Sequence, residues 1–167
     1  VFGSMETDSA DEEFRFNPSN PYAATKASAE LLINSYVNTY DLDCVITRYT
    51  NNYGPRQFYE KLIPKTIFLA NHNKKIPIYG TGKNIRDWIF VDDHCEAVYD
   101  VLLNGKSGES YNISSNNELD NITIVKKILE IMNKSSNLIE FVDDRPGHDL
   151  RYSLDSSKIR KSLKWIE

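Results

Sequence analysis

With only two cysteines, Cys44 and Cys95, set in separate apolar segments without short spacing, the sequence has too few for a disulfide framework or a zinc site. Buried free thiols in a reducing compartment are expected, and no metal site. No apolar run approaches the ~20 residues that span a bilayer, and no signal-peptide pattern opens the chain. A cytoplasmic protein with no membrane partner is expected. The 20 basic residues stand against 24 acidic ones, a net charge of −4 with no basic block, which argues against a nucleic-acid partner. Glycine is scarce too: of seven in all, the closest pair is Gly80 and Gly82, which read as a tight turn between strands rather than a phosphate-cradling loop. The sequence also has no starting Met and opens on Val-Phe-Gly, so it is expected to be part of a longer protein.

What is present is the composition of a globular domain, 40% hydrophobic and 26% charged, which argues against disorder. At 167 residues there is length for one sizeable core. The acidic stretch from Glu6 to Glu13 reads as a solvated loop. Asn20 is placed to cap a long helix that starts at Pro21, and its alanines Ala23, Ala24 and Ala27 allow close packing. The run from Asp43 to Tyr49 suits a buried parallel strand. Helices are predicted over 62–72, 91–103, 121–132 and 155–165, and strands over 76–79, 85–90, 111–114 and 137–142. Asp92 or Asp93 lies at the positive end of its helix, and Gly105 closes that helix. Alternating strands and helices point to an α/β fold. Trp88 and Trp165 read as packing residues, and His72 and His94 as surface histidines.

Tyr22 and Lys26 are four apart on the first helix and share a face. A phenol, with pKa ~10, is a poor base at neutral pH. An ammonium beside it favours the phenolate, which can then take the proton of a hydroxyl. The spacing alone is common on amphipathic helices and decides nothing by itself. The flanking segments add to it: Asn20-Pro-Tyr-Ala-Ala-Thr-Lys26, Arg48-Tyr-Thr-Asn-Asn-Tyr-Gly-Pro55, Phe58-Tyr-Glu-Lys-Leu-Ile-Pro64, Pro77-Ile-Tyr-Gly-Thr-Gly82, Ile85-Arg-Asp-Trp88 and Asp144-Arg-Pro-Gly-His148. In this order they resemble the extended short-chain dehydrogenase/reductases, and within them the dTDP-glucose 4,6-dehydratase family with its UDP-glucose-acting relatives.

That resemblance implies a Rossmann-type NAD-binding fold interleaved with a smaller α/β substrate lobe. Residues 1–57 and 86–115 would belong to the first, and residues 58–85 and 116–167 to the second. It implies a lyase that uses NAD to oxidise C4 of a nucleoside-diphosphate glucose, eliminates water across C5 and C6, and returns the hydride to C6. Tyr22 would be the base for the C4 hydroxyl, and Lys26 would hold the nicotinamide ribose and tune the tyrosine. Asn52 would meet the cofactor and Asn51 the sugar nucleotide, although two asparagines before Tyr-Gly-Pro also suit a plain turn. Lys61, Leu62, Ile63 and Pro64, at a helix start with free N–H groups, would lie along the diphosphate. Pro77, Ile78 and Tyr79 would flank the base. Arg86 and Arg145 would clamp phosphate oxygens, unless Arg86 merely pairs with Asp87. Asn121, Pro146, Gly147 and His148 complete the implied nucleotide contacts; without the resemblance, His148 is a surface loop histidine.

The sequence departs from the family pattern at Phe2, where tyrosine is usual, at Tyr59, where proline is common, and at Ser114-Ser115, which replace glycines. The family's Thr, Asp and Glu for water elimination, and its glycine-rich turn, would precede Val1, and a final helix would follow Glu167. The 167 residues alone are therefore expected to be inactive and poorly stable, while the full-length protein is expected to be a homodimer meeting through the helix from Pro21. Two other readings stay open: an epimerase, decarboxylase or other dehydratase of the same fold, and a non-catalytic ligand-binding relative.

Overall fold

A computed structural model describes residues 1–5 and 8–167. Of the expected acidic loop, Glu6 and Thr7 lie outside the described residues. The chain runs α1 (Pro21–Tyr40), β1 (Ile46–Tyr49), β2 (Asn51–Tyr53), α2 (Leu62–Asn71), β3 (Ile76–Tyr79), β4 (Ile85–Phe90), α3 (Val91–Asn104), β5 (Ser110–Ile113), β6 (Glu118–Asp120), α4 (Asn121–Ile131), a 3-10 turn at Ser136–Leu138, β7 (Ile139–Val142), β8 (Arg151–Tyr152) and α5 (Ser157–Leu163). The long predicted elements are all present. The short strands β2, β6 and β8 are not visible in the hydrophobic pattern.

Thr50 is the point at which a strand changes partner. Before it, β1 runs parallel to β5, with Ile46 opposite Ser110, and the Thr50 N–H still donates to Ile113 O. After it, β2 leaves β5 and runs parallel to the end of β4, Asn51 opposite Trp88. The start of β4 takes β6 antiparallel and β8 parallel. A separate parallel pair, β3 with β7, forms away from these strands.

Three apolar clusters hold the elements. One joins Ile89, Ala97, Val101, Tyr111 and Ile113 to Ile159 and Trp165 of the C-terminal segment. A second packs Ala70 of α2, Ile76 and Ile78 of β3, and Ile122, Val125 and Leu129 of α4. A third, Phe2, Met5, Ala10 and Leu154, fastens the N-terminal segment. Gly82 closes the turn between β3 and β4 at φ 71°, where a Cβ would meet Ile78 Cγ2 at 2.7 Å. Only glycine fits that approach.

Two details depart from expectation. Gly105 does end α3, but at φ −68°, so its N–H bonds to Val101 O without the left-handed conformation glycine usually supplies. The thiols are not buried: Cys44, before β1, is half-buried, and Cys95 is exposed because α3 turns Ala97 and Val101 inward instead.

Candidate active site

The start of α1 is built as its sequence implies. Asn20 is extended, its Oδ1 accepts the Ala23 N–H at 2.9 Å, and Pro21 follows in the first turn. Ala23 and Ala27 are the buried residues of the helix, so the face they share is the one turned into the protein. Tyr22 and Lys26 project from that end, with Lys26 Nζ 5.6 Å from the centre of the Tyr22 ring. Beneath them opens a cleft of about 880 Å3, lined by Tyr22, Lys26, Asn51, Asn52, Lys61 and Leu62 among others. Six residues singled out in the sequence thus meet on one concavity.

Asn51 and Asn52 lie in β2, not in a turn, and the partner change at Thr50 is what brings them to the cleft. Thr50 Oγ1, Asn52 Oδ1 and Gln57 Oε1 are buried there without a hydrogen-bond partner among the described residues, although Gln57 Nε2 donates to Asn52 O at 2.7 Å. A buried acceptor left unpaired costs about 1–3 kcal/mol, so these atoms suit a polar ligand or water.

The other expected residues collect at a neighbouring rim. The Tyr79 and His148 rings meet edge to face with centroids 6.5 Å apart, and His148 Nδ1 lies 2.7 Å from Asp144 Oδ1. That contact, with the Arg145 N–H, holds the Asp144 carboxyl below the usual carboxylate range. The His148 side chain is only 5% exposed, so it is not a surface histidine. Arg86 does not pair with Asp87. Its Nη2 donates to Asp149 O at 2.9 Å, while Asp87 accepts from Asn117 N–H and from Ser115 N–H and Oγ. Burial lowers the Arg86 pKa, an effect that Asp149 partly offsets. Asn121 opens α4, its N–H bonded to Asn84 O. Arg145, Pro146 and Gly147 are exposed on the loop before β8, and Pro77 is half-buried. Ile63 and Pro64 sit in the first turn of α2, half-buried and outside the cleft lining. Ile78 is 2% exposed within the second apolar cluster, so its side chain cannot pack on a base; only its backbone is available to a ligand.

Asp149 joins the two groups of residues. It lines the cleft, its Oδ1 accepts from Ser19 Oγ at 2.6 Å, and its carbonyl takes Arg86 and Asn84. Asn20 Nδ2 reaches Gly147 O at 3.4 Å, so the helix cap also touches the Asp144–Asp149 loop.

This arrangement has close counterparts. A profile of the family described as GDP-mannose 4,6 dehydratase matches residues 1–167. The chain belongs to that family. The low-salt glycan biosynthesis protein Agl12 of Haloferax volcanii is 49% identical over 165 residues, covering 99% of this chain and 53% of the relative. The dTDP-glucose 4,6-dehydratase of Escherichia coli is 45% identical over 166 residues, covering 93% of this chain and 46% of the relative. The crystal structure of DesIV, a dTDP-glucose 4,6-dehydratase from Streptomyces venezuelae with NAD and TYD bound, matches with a TM-score of 0.97 at 42% identity, covering 99% of this chain and 52% of that one. The chain spans about half the length of these relatives. Its α/β fold is the Rossmann-type fold of these dehydratases.

For this member of the GDP-mannose 4,6 dehydratase family, residue-by-residue reading missed several cleft groups. Thr50 and Gln57 stood in or beside the Arg48–Pro55 segment with no role assigned, Asp149 follows the Asp144–His148 segment, and Tyr152 lies in a strand of two residues. Burial pushes the Tyr152 phenol up to about 12, and its hydroxyl reaches Tyr49 O at 3.3 Å. His94, expected at the surface, stacks on Tyr49 with ring centroids 4.4 Å apart, its Nε2 is buried, and burial lowers its pKa. Among the described residues no helix is long and apolar enough to cross a membrane.

Proposed function

We propose that the protein carrying this chain is a lyase that converts a nucleoside-diphosphate glucose, dTDP-glucose in the preferred reading, to its 4-keto-6-deoxy form with NAD. The observation that carries this reading is the shared cleft: Tyr22 and Lys26 on one helical face, above a floor of Asn51 and Asn52. Tyr22 takes the C4 hydroxyl proton. Lys26 lies over the Tyr22 ring, placed to steady negative charge that develops on the phenol as the proton leaves and to donate to the nicotinamide ribose. Bound NAD would accept hydride from C4 and return it to C6. The unpaired acceptors at Thr50, Asn52 and Gln57 fit the polar edge of such a cofactor.

The rim residues serve the nucleotide in this reading. The α2 start at Lys61 offers free N–H groups to a diphosphate, with no side chain capping it. Arg86 is fixed by two carbonyls, that of the preceding Ile85 and that of Asp149, which orients the guanidinium for phosphate oxygens. Arg145 stands exposed across the loop as a second clamp. Tyr79, with its ring exposed, offers a face to the base, and the enclosed His148 ring backs it edge-on. Division into a cofactor part, residues 1–57 and 86–115, and a sugar-nucleotide lobe, residues 58–85 and 116–167, belongs to the same proposal, as does a cytoplasmic location. The outward apolar side chains of α1, among them Leu31, Leu32, Tyr36 and Tyr40, support a homodimer through this helix.

The test is to incubate the product of the complete gene with NAD and with dTDP-glucose or UDP-glucose, and to follow 4-keto-6-deoxy sugar by mass spectrometry. Product from dTDP-glucose, at a higher kcat/KM than from UDP-glucose, is expected. Absence of product from both would overturn the lyase reading.

A further inference from the structure

Glu30 lies one turn beyond Lys26 on the same face of α1. Lysine and glutamate four apart on a helix are natural ion-pair partners. Yet among the described residues no ion pair joins them. Lys26 leans over Tyr22 instead, and Glu30 Oε2 accepts from Arg48 Nε at 2.8 Å.

Arg48 is held for that task from every side. It is 8% exposed, and its guanidinium sits 5.2 Å from the Phe2 ring centre and 5.4 Å from that of Phe16. Nη1 donates to Glu12 O at 3.1 Å and Nη2 to Ser110 Oγ at 3.3 Å. Three segments thus fix this arginine of β1: the N-terminal loop, α1 and β5. The planar guanidinium can stack and donate in several directions at once, which an ammonium cannot.

We propose that Arg48 is a positioning residue whose role is to withhold the Glu30 carboxylate from Lys26, leaving the Lys26 ammonium free for Tyr22 and the cofactor. The proposal rests on the reading of Tyr22 and Lys26 given above. It makes an asymmetric prediction. Breaking the Arg48–Glu30 pair from the arginine side frees a carboxylate that can capture Lys26. Breaking it from the glutamate side removes the competitor.

The test uses the complete gene product with Arg48→Met, Glu30→Gln and the double variant, each checked for folding by thermal unfolding. The first readout is 13C NMR of the Lys26 ε-methylene, assigned with Lys26→Arg, which the Tyr22 ring shifts upfield while the two are in contact. The second is steady-state kinetics. Arg48→Met is expected to lose the ring shift and to lower kcat about tenfold or more, since small misplacements near reacting groups cost up to ~10²-fold, with little change in KM. Glu30→Gln is expected to keep both the shift and most of kcat, and the double variant to recover both. Equal damage from Glu30→Gln and Arg48→Met would show a merely structural pair and overturn the proposal, as would an unchanged Lys26 signal in Arg48→Met. Should Arg48→Met fail to fold, Glu30→Gln alone still decides between the two. Tyr22→Phe separates the layers: if it keeps full activity the site reading fails, while the Lys26 signal still reports on capture by Glu30.

Discussion

Helices α1 and α4 begin alike and end differently. Each is capped by a side-chain oxygen, Asn20 for the Ala23 N–H at 2.9 Å and Asp120 for the Thr123 N–H at 2.8 Å. Yet α4 buries Ile122, Val125 and Leu129, whereas α1, almost twice as long, buries only two alanines and leaves Leu31 and Leu32 nearly 60% exposed. The first is a core element; the second is a platform that presents side chains. A cap and a helical period do not separate the two roles. What separates them is where large apolar residues point once the sheet is formed.

The sharpest way to break this comparison is through activity. Tyr22→Phe removes one hydroxyl from a side chain 72% exposed. It should cut turnover of the complete protein about 10²–10⁴-fold, the usual contribution of a positioned acid or base, while stability stays within about 0.5 kcal/mol. Next comes stability. Leu129→Ala in α4 should cost about 2–5 kcal/mol by urea unfolding, from lost burial and the cavity left behind. Leu32→Ala in α1 should cost clearly less than Leu129→Ala, because within the chain its side chain is mostly exposed; an equal loss would erase the contrast between the two helices.

The caps give a smaller and more diagnostic effect. Asn20→Ala and Asp120→Ala should each cost about 1 kcal/mol of stability. Only Asn20→Ala should also lower kcat, because fraying the first turn of α1 moves Tyr22. A fall in kcat for both would erase the distinction between platform and core.

The smallest effect concerns pH. Glu118 is held below the usual carboxylate range, first by its hydrogen bond from Arg151 at 2.7 Å. A depressed carboxylate stabilises the fold above its unfolded value, about 4.3, and that contribution is lost as pH falls through the folded value. Tyr152 behaves in the opposite sense: its contribution is complete below an unfolded value of about 10 and is lost as pH rises toward a folded value of about 12. Urea midpoints should therefore drop at both ends. Glu118→Gln should flatten the acid limb alone, and an unchanged acid slope would remove Glu118 from the account.

Much of the fold was legible because long elements advertise themselves. Helix caps at Asn20, buried periodicity at Ile122, Val125 and Leu129, and the Gly80-Thr-Gly82 turn all stand where the residues imply. Strands of two or three residues, such as Asn51–Tyr53 and Arg151–Tyr152, carry too little pattern to detect; their pairing to β4 is decided by tertiary contact. The same limit applied to the site. Tyr22 with Lys26 is a local spacing and was readable. The bond between Arg48 and Glu30 crosses from strand to helix, and nothing near either residue in sequence announces it. Ser115 shows the converse: read in the sequence only as a replacement of glycine, its N–H and hydroxyl both donate to Asp87.

The most direct test of the central claim follows one atom. The complete protein, given NAD and dTDP-glucose carrying deuterium at C4, should yield a 4-keto-6-deoxy product with the deuterium at C6, and Tyr22→Phe should yield almost none. Deuterium recovered at C4 of an epimerised sugar, or labelled dehydration product formed equally well by Tyr22→Phe, would contradict the account.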